Sequence, residues 1–449
     1  MAAMQAAPAL SGDIEHFLQA AIGNLAPLPA SAPTAGRPRI LPSLCLWAGV
    51  LVCLLRGATH QNAVWRLLAQ TGLWQYPSFP LSDEAIYQRL ARESAPPDGQ
   101  PTLLERLFGH VTTLLRARLA PYAATRLAPF ATDVLALDET SLDQVQRWLP
   151  ALRGVPAQAN ALRPGKLAAL FDVRRQVWQT VLHVPAPHQN EKKTAPTLLA
   201  GLAAGVLVVM DLGYFSFAWF DTLTEQGVWW VSRLRAKTSY TVAHTFYAQG
   251  DTLDCLVWLG AYRADRSRHL VRLVRFTVGK VTYSYLTNQL DPLVFPLREI
   301  ARVYQRRWDI ECAFQLVKEH LHLHLLWSSK PALLLQQVWG VLIISQILQA
   351  LRLEIAGRAA VDPFDVSLPL LVAYVPEYLA RGEDPVTVFV TEGRRLGFIR
   401  PSRRSENRAP WIPPAELVPR PPDLAITRVP RHAQRKCGPR PRIAVNAHD

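Results

Sequence analysis

Residues 134–142 read VLALDETSL, in which a short apolar run is followed directly by the acidic residue Asp138. Residues 206–215, VLVVMDLGYF, repeat this pattern and place Asp211 directly after the apolar part. Apolar runs of this length, bounded by polar residues, are typical of strands buried in a sheet between helices. The stretches KLAALFDV and QVWQTVLHV lie between the two runs and predict a hairpin, so the sequence predicts a mixed α/β fold.

The chain around these strands changes character several times. Before the first strand, apolar residues recur at three- and four-residue spacing, which indicates helices. Four strand-like stretches follow the second acid and predict a β insertion, and proline-rich segments near both ends indicate flexible chain. The predicted organisation is a flexible N-terminus over residues 1–39, a helical region over 40–129, an α/β domain over 130–392 interrupted by a β insertion over 237–291, and a basic, disordered Pro/Arg-rich tail over 393–449.

The composition favours a polyanionic partner. The 449 residues include 49 Lys and Arg against 35 Asp and Glu, a net charge of +14, which points to nucleic acid, although a merely basic protein is almost as compatible with it. The five cysteines form no CxxC pair, so they offer no zinc-site spacing and favour a reducing, cytoplasmic compartment. No signal peptide is predicted, and the apolar runs at 40–55 and 338–347 are too short or too interrupted to predict a membrane span.

Residues 304–318, YQRRWDIECAFQLVK, combine an acid with an aromatic residue and two cations at helical spacing. On a continuous helix, at about 100° per residue, Tyr304, Arg307, Glu311 and Lys318 would project from one narrow stripe. Apolar residues beside this stripe would pack on a core. The sequence therefore predicts one helix that presents a carboxylate flanked by cations, which suits a metal-bound, phosphate-rich polymer.

Three acids from these patterns are candidates for one metal site. Asp138 and Asp211 would end their strands, where open α/β sheets place their chemistry, and Glu311 would come from the helix. Clustered carboxylates repel one another, and Mg²⁺ or Mn²⁺ relieves that repulsion because these ions prefer oxygen ligands. Two such ions can activate a water or a 3′-hydroxyl for in-line attack on phosphorus.

A structural role for these acids is the competing interpretation. An Asp that follows a strand is most often a turn or helix-cap residue, and Asp172 occupies a position like those of Asp138 and Asp211. Glu139 and Asp143 lie close to Asp138 in the sequence and are alternatives to it. Spacing alone leaves the choice between these interpretations open.

The motifs DETSL from Asp138, DLGYF from Asp211, and Y-x2-R-x3-E-x6-K from Tyr304 to Lys318 resemble those of the DDE transposases of bacterial insertion sequences, of the insertion-sequence-four type. The resemblance covers the chain from about residue 130 to about residue 325. It implies an RNase H-like mixed-sheet catalytic core with a β-strand insertion, and an N-terminal helical domain that recognises DNA and dimerises. It also implies that Asp138, Asp211 and Glu311 are the catalytic acids and bind Mg²⁺ or Mn²⁺, as two ions.

The resemblance implies further roles at the DNA. Arg307 and Lys318 would hold phosphates near the cleaved end, and Tyr304 would hydrogen-bond a phosphate of the same strand. In this family an aromatic residue of the β insertion, usually a tryptophan, stacks on a flipped base, and its position here is Tyr283. A tyrosine can stack with less area than a tryptophan, which leaves base flipping and a hairpin step open. Two other residues are alternatives, with core packing as their competing role: Tyr285 and Trp258.

The implied function is cut-and-paste DNA transposition. The protein would bind the terminal inverted repeats of its own element as double-stranded DNA, cleave the ends and join them to target DNA without ATP. This would take place in a homodimeric synaptic complex at the nucleoid, in the bacterial cytoplasm and with no membrane involved. Two alternative hypotheses are an RNase H-like nuclease that cleaves without joining, and a non-enzymatic DNA-binding protein derived from a transposase.

Overall fold

The computed structural model describes residues 14–25, 40–74, 76–95, 100–142, 165–261, 266–321, 323, 327–328, 330–402 and 408–428. The chain divides into two compact units, each described by itself. The first comprises Met1–Leu127, Leu135–Gly201 and Arg306–Glu406, and the second comprises Ala128–Val134, Leu202–Gln305 and Asn407–Asp449. The domain boundaries expected from the sequence stay a prediction.

The first unit is mostly helical, and local sequence signals define where its helices begin. Ser82 accepts a hydrogen bond from the backbone N–H of Ala85, and Thr102 accepts one from the backbone N–H of Glu105, so each caps the start of a helix. The helices described in this unit are α1 (Ile14–Gly23), α2 (Ser43–Leu55), α3 (Asn62–Arg66), α4 (Asp83–Glu93), α5 (Leu103–Arg118), α6 (Glu191–Leu199), α9 (Trp308–Gln315), α10 (Pro331–Ala359), α11 (Leu368–Ala380) and α12 (Pro385–Glu392).

Helix α10 is apolar on all sides and lies in the core of the first unit. It packs against α2, α5, α11 and α12. By length and composition it would also suit a membrane span, but 83% of its apolar 18-residue window is buried inside the protein. A helix that is apolar all round is what a buried core position requires. The buried helix expected from residues 338–347 is therefore confirmed.

Three strands form an antiparallel meander in the first unit. All residues of these strands belong to this unit except Val134. They are β1 (Val134–Ser141), β2 (Lys166–Asp172) and β3 (Val177–Val184), in the order β3-β2-β1. The hairpin expected from β2 and β3 is confirmed. The expectation that Asp138 ends its strand is wrong, because β1 keeps pairing with β2 as far as Ser141 and places Asp138 opposite Ala169.

The second unit combines parallel and antiparallel strands. β4 (Leu207–Met210) and β5 (Trp229–Arg233) are parallel and are connected through α7 (Phe217–Glu225). The insertion consists of the antiparallel strands β6 (Tyr240–Gln249), β7 (Thr252–Leu259), β8 (Val271–Val278) and β9 (Val281–Thr287), and is followed by α8 (Leu297–Gln305). β9 also pairs with β5, so the order in this unit is β4-β5-β9-β8-β7-β6. The predicted mixed α/β fold class, with a β-strand insertion and N-terminal helices, is confirmed.

The single helix expected over residues 304–318 is wrong. α8 ends at Gln305, α9 begins at Trp308, and a π-helical turn follows over Leu316–His320. At the break, the backbone N–H of Asp309 donates to the carbonyl of Arg306, three residues earlier, instead of four. The carboxylate of Asp309 also holds Arg306 at 2.6 Å, so this side chain is directed into the first unit instead of along a helix face. A continuous stripe of four functional side chains is therefore not formed.

Residues 408–428 lie against the strands of the second unit, so the prediction of a disordered tail is wrong for them. Leu417 and Leu424 pack on a buried apolar cluster of the insertion. The members of this cluster are Phe246, Leu256 and Leu270. Proline-rich, charged sequence indicates disorder by composition, but apolar side chains spaced between the prolines can still cover exposed apolar surface. Residues 429–449 lie outside the described residues.

Candidate active site

Arg307 joins two of the predicted acids in the first unit. Its Nη1 donates to Oδ2 of Asp138 at 3.2 Å, and its Nη2 donates to Oε1 of Glu311 at 2.6 Å. Arg307 and Asp138 are 169 residues apart in the sequence, so only folding brings them into contact. These three predicted site residues therefore lie together, with two carboxylates sharing one guanidinium. The three groups keep one negative charge in excess.

The acids near Asp138 differ from it in their surroundings. Glu139 lies on the opposite face of β1, where its carboxylate accepts from Nζ of Lys166 at 2.9 Å and its side chain is 3% exposed. The side chains of Asp138 and Glu311 keep 21% and 30% of their surface exposed. Asp143 lies outside the described residues. Glu139 is thus a buried ion-pair partner, whereas the two acids that Arg307 holds remain accessible to a ligand.

Lys318 contacts β1 through a residue that the sequence reasoning missed. Its Nζ donates to Oγ1 of Thr140 at 2.8 Å. Thr140 stands two residues after Asp138, and this spacing in a strand is the signal that would have placed both on one face. Burial lowers the pKa of Lys318, and the nearby charge of Glu319 offsets part of that effect. Lys318 is therefore a cation held in partly apolar surroundings beside the strand that bears Asp138.

The lowered pKa of Lys318 predicts a dependence of stability on pH. A lysine whose pKa is lower in the folded than in the unfolded chain costs stability at neutral pH, and this cost falls as the pH rises through the folded pKa towards the unfolded value of 10.5. Relative to a Lys318→Met variant, the wild-type free energy of unfolding should therefore rise with pH above neutrality, towards pH 10.5. Urea unfolding of both proteins across this range measures the difference. A difference that stays constant with pH would contradict the prediction.

Asp211 and Tyr304 lie together in the second unit. Asp211 directly follows β4, as expected from the sequence. The hydroxyl of Tyr304 donates to Oδ1 of Asp211 at 3.4 Å, a long hydrogen bond, and the Tyr304 side chain is buried near the end of α8. The ring centroid of Tyr304 lies 4.6 Å from that of Tyr285. Packing thus orients the Tyr304 hydroxyl towards the acid in this structure.

The three aromatic residues considered for base stacking differ in their contacts. Tyr285 is buried against Tyr304, and burial raises the pKa of Tyr285 well above its ordinary value. Trp258 lies under the guanidinium of Arg428 at 4.8 Å, so it also takes part in packing. Tyr283 is half-buried in β9, and its ring stacks on Phe276 at a centroid distance of 5.4 Å. Packing accounts for Tyr285 and Trp258, and base stacking by Tyr283 stays a prediction.

The carboxylates described here suit a divalent metal by their chemistry. Among the residues that the structure describes, no group of three or more His, Cys, Asp or Glu side chains is arranged to hold a metal ion. The guanidinium of Arg307 takes up oxygen atoms of both Asp138 and Glu311. Both side chains offer only carboxylate oxygens, which are the ligands that Mg²⁺ and Mn²⁺ prefer. The donor set therefore fits such an ion, provided that Arg307 releases it.

The part of the chain that carries these motifs is similar to known transposases. The family described as the transposase DDE domain matches residues 129–347. Transposase InsG for the insertion sequence element IS4 of Escherichia coli is 28% identical over 181 residues, which cover 37% of this chain and 39% of that protein. Putative transposase y4zB of Sinorhizobium fredii is 23% identical over 176 residues, covering 38% of this chain and 48% of that protein. In both cases the match spans less than half of the relative's own length.

A solved structure is also similar to this chain. The cryo-EM structure of the piggyBac transposase synaptic complex with hairpin DNA has a TM-score of 0.39 and 13% identity, over 90% of this chain and 84% of that one. The family match, for its part, includes Asp138, Asp211 and the whole motif from Tyr304 to Lys318. The residues that Arg307 brings together therefore fall within the matched domain. Residues 129–347 are thus similar to the transposase DDE domain, and the two relatives named above are transposases of bacteria.

Proposed function

We propose that this protein is a DNA transposase that cleaves the inverted-repeat ends of its element and joins them to target DNA. The observation that supports it most is the contact of one guanidinium with two acids from different motifs. Asp138 was predicted from a strand and Glu311 from a motif far along the chain, and Arg307 holds both. Paired, partly exposed carboxylates beside an arginine are suited to a metal ion and to the phosphate that the reaction attacks.

The proposed metal ligands are Asp138, Asp211 and Glu311. Two Mg²⁺ or Mn²⁺ ions, when bound, would supply Lewis acidity and an activated hydroxyl for in-line attack on phosphorus. Arg307 balances the charge of two of these acids in the absence of the ions. For the acids to bind metal, Arg307 must leave at least one of them, and it would then be available to a phosphate oxygen.

If Arg307 must leave an acid before a metal ion binds, then Arg307 competes with the metal ion for the carboxylates. An Arg307→Gln variant without DNA should bind Mn²⁺ about three- to tenfold more tightly than the wild type, because two partly exposed ion pairs no longer oppose binding. Isothermal titration with Mn²⁺ measures the affinity. Arg358→Gln is the matched control, since Arg358 pairs with Glu354 at the same four-residue spacing on α10. Equal or weaker Mn²⁺ binding by Arg307→Gln would contradict the competition.

The remaining motif residues are proposed to hold the DNA end. Lys318 and Arg307 would contact phosphates of the cleaved strand, Tyr304 would donate its hydroxyl to a phosphate, and Tyr283 would stack on a flipped base. Cations that contact phosphates position DNA without reading its sequence. Recognition of the double-stranded inverted repeats is therefore assigned to the N-terminal helices.

We further propose that a homodimer pairs the two ends in the synaptic complex, in the bacterial cytoplasm at the nucleoid.

One contact limits how α4, one of the N-terminal helices, can take part in DNA recognition. Arg89 bonds Glu93 at 2.7 Å and Ser43 at 3.1 Å, so this arginine already has partners within the protein. Exposed residues of the N-terminal helices are the better candidates for contacts to DNA.

The test uses the DNA that flanks the gene. Imperfect inverted repeats on both sides would supply the cognate ends, and purified protein with Mg²⁺ should cut them and join them to a plasmid. Joined products on a gel would support the transposase. Cleavage without joining would favour the RNase H-like nuclease, and binding without cleavage would favour the non-enzymatic DNA-binding protein.

A further inference from the structure

A cavity of about 310 Å³ in the second unit is lined by four cations. They are Arg233, Arg235, Lys237 and Arg275, and the hydroxyl-bearing side chains of Tyr240 and Ser284 lie between them. Among the described residues, none of these four cations forms an ion pair with a carboxylate. Like charges held together without a counter-ion repel one another, and a bound anion would relieve that repulsion.

Neutral groups, not acids, orient two of the cations. Nε of Arg275 donates to Oγ of Ser284 at 3.3 Å, and its Nη2 donates to the hydroxyl of Tyr240 at 3.1 Å. Nη2 of Arg235 donates to the carbonyl oxygen of Leu212 at 3.3 Å. Because none of these partners carries a charge, the positive charges of both arginines remain uncompensated. Arg233 and Lys237 are exposed, so the cavity is reached from solvent on their side.

The cavity lies close to the candidate acid of the same unit. Leu212, which accepts from Arg235, follows Asp211 directly. Arg233 is paired with Tyr285 in the register of β5 and β9, and Tyr285 packs on the tyrosine that bonds Asp211. Neighbouring residues within one unit therefore connect two of the four cations, Arg235 and Arg233, to Asp211.

We propose that this cavity binds a backbone phosphate of the DNA strand that passes Asp211. The inference rests on the proposed function, and it adds a phosphate site outside the motif residues. Arginine forks and a lysine suit phosphate oxygens, and such contacts hold a strand without sequence preference. The arrangement positions the strand; these residues do not take part in the chemistry. A free phosphate ion shares the same chemistry and is distinguished by experiment.

The test removes two exposed charges of the cavity in an Arg233→Gln/Lys237→Gln variant. Fluorescence anisotropy with an inverted-repeat duplex and with an unrelated duplex should show binding weakened on the order of tenfold at low salt, equally for both. The slope of log affinity against log salt should become shallower by the amount expected for the loss of about two phosphate contacts. A Lys280→Gln/Arg298→Gln variant is the matched control, because it removes the same charge from exposed positions of this unit outside the cavity.

Three further outcomes decide the proposal. Arg233→Lys, which keeps the charge, should retain most of the affinity. Unchanged DNA binding in the double variant, or a loss equal to that of the control, would overturn it. The third outcome combines phosphorus NMR with the DNA measurement. If inorganic phosphate binds the wild type but not the double variant, while the two proteins bind DNA with the same affinity, the cavity is a site for free phosphate and the proposal is overturned.

The inference and the proposed function fail separately. If the wild type neither cleaves nor joins cognate ends, the proposed function fails whatever the cavity does. If the wild type is active and the double variant binds and cleaves like its control, only the phosphate site is wrong.

Discussion

Replacing Asp138 by asparagine should lower end cleavage and strand transfer by about a thousandfold or more, because the amide cannot supply the negative oxygen that a metal ion requires. The exchange keeps the size of the side chain, and Asp138 is partly exposed and pairs with Arg307, so the fold should be retained. DNA affinity should stay within about threefold of the wild type, since no phosphate-binding cation is removed. Gel assays of nicking and joining, with anisotropy for binding, measure the three quantities.

The control for this prediction is Asp251→Asn, which changes an exposed acid in the turn between β6 and β7 and should leave every activity unchanged. Asp211→Asn and Glu311→Gln should each show the same loss as Asp138→Asn if the three acids share one role. Turnover close to the wild-type value in Asp138→Asn would remove this residue from the site. Normal turnover in all three variants would exclude metal-dependent catalysis by these acids altogether.

Replacing Asp172 by asparagine should instead lower the free energy of unfolding, by about 2–4 kcal/mol. Its carboxylate is fully buried and bonds Arg116 at 3.0 Å and Arg175 at 2.8 Å. It also accepts the backbone N–H groups of Arg174 and Arg175 at 3.0 and 2.9 Å. An amide would leave two arginine charges without their buried partner, and breaking a buried pair costs more than an exposed one. Urea unfolding at constant pH measures the loss.

The Asp172→Asn protein that remains folded should still cleave DNA ends, which separates it from Asp138→Asn. Asp309 offers a second comparison, since its buried carboxylate bonds Arg306 at 2.6 Å and Gln176 at 2.8 Å. Asp309→Asn should therefore also reduce stability more than turnover. Wild-type stability of Asp172→Asn together with lost cleavage would show that the structural role is assigned to the wrong acid.

Much of the fold followed from local patterns. The hairpin of β2 and β3, the strands β4 to β9 and the buried helix α10 all appear where periodicity predicted them, because alternation and apolar runs reflect which faces are buried. Local patterns failed at Arg306, where a side-chain contact from Asp309 and a shift to three-residue hydrogen bonds interrupt the helix. They also failed in residues 408–428, where packing on the insertion outweighs a composition typical of disorder.

The sequence by itself determined the mixed α/β fold and the acids and cations of the motifs, since residue type and spacing are local properties. Only the tertiary structure separated Asp138 from Asp172, which look alike in the sequence. Asp172 is enclosed by arginines from α5 and from its own turn, whereas Asp138 faces Arg307 at a partly exposed place on β1. The physical reason is that the role of a carboxylate depends on which charges surround it and how much water reaches it, and residues distant in the sequence set both.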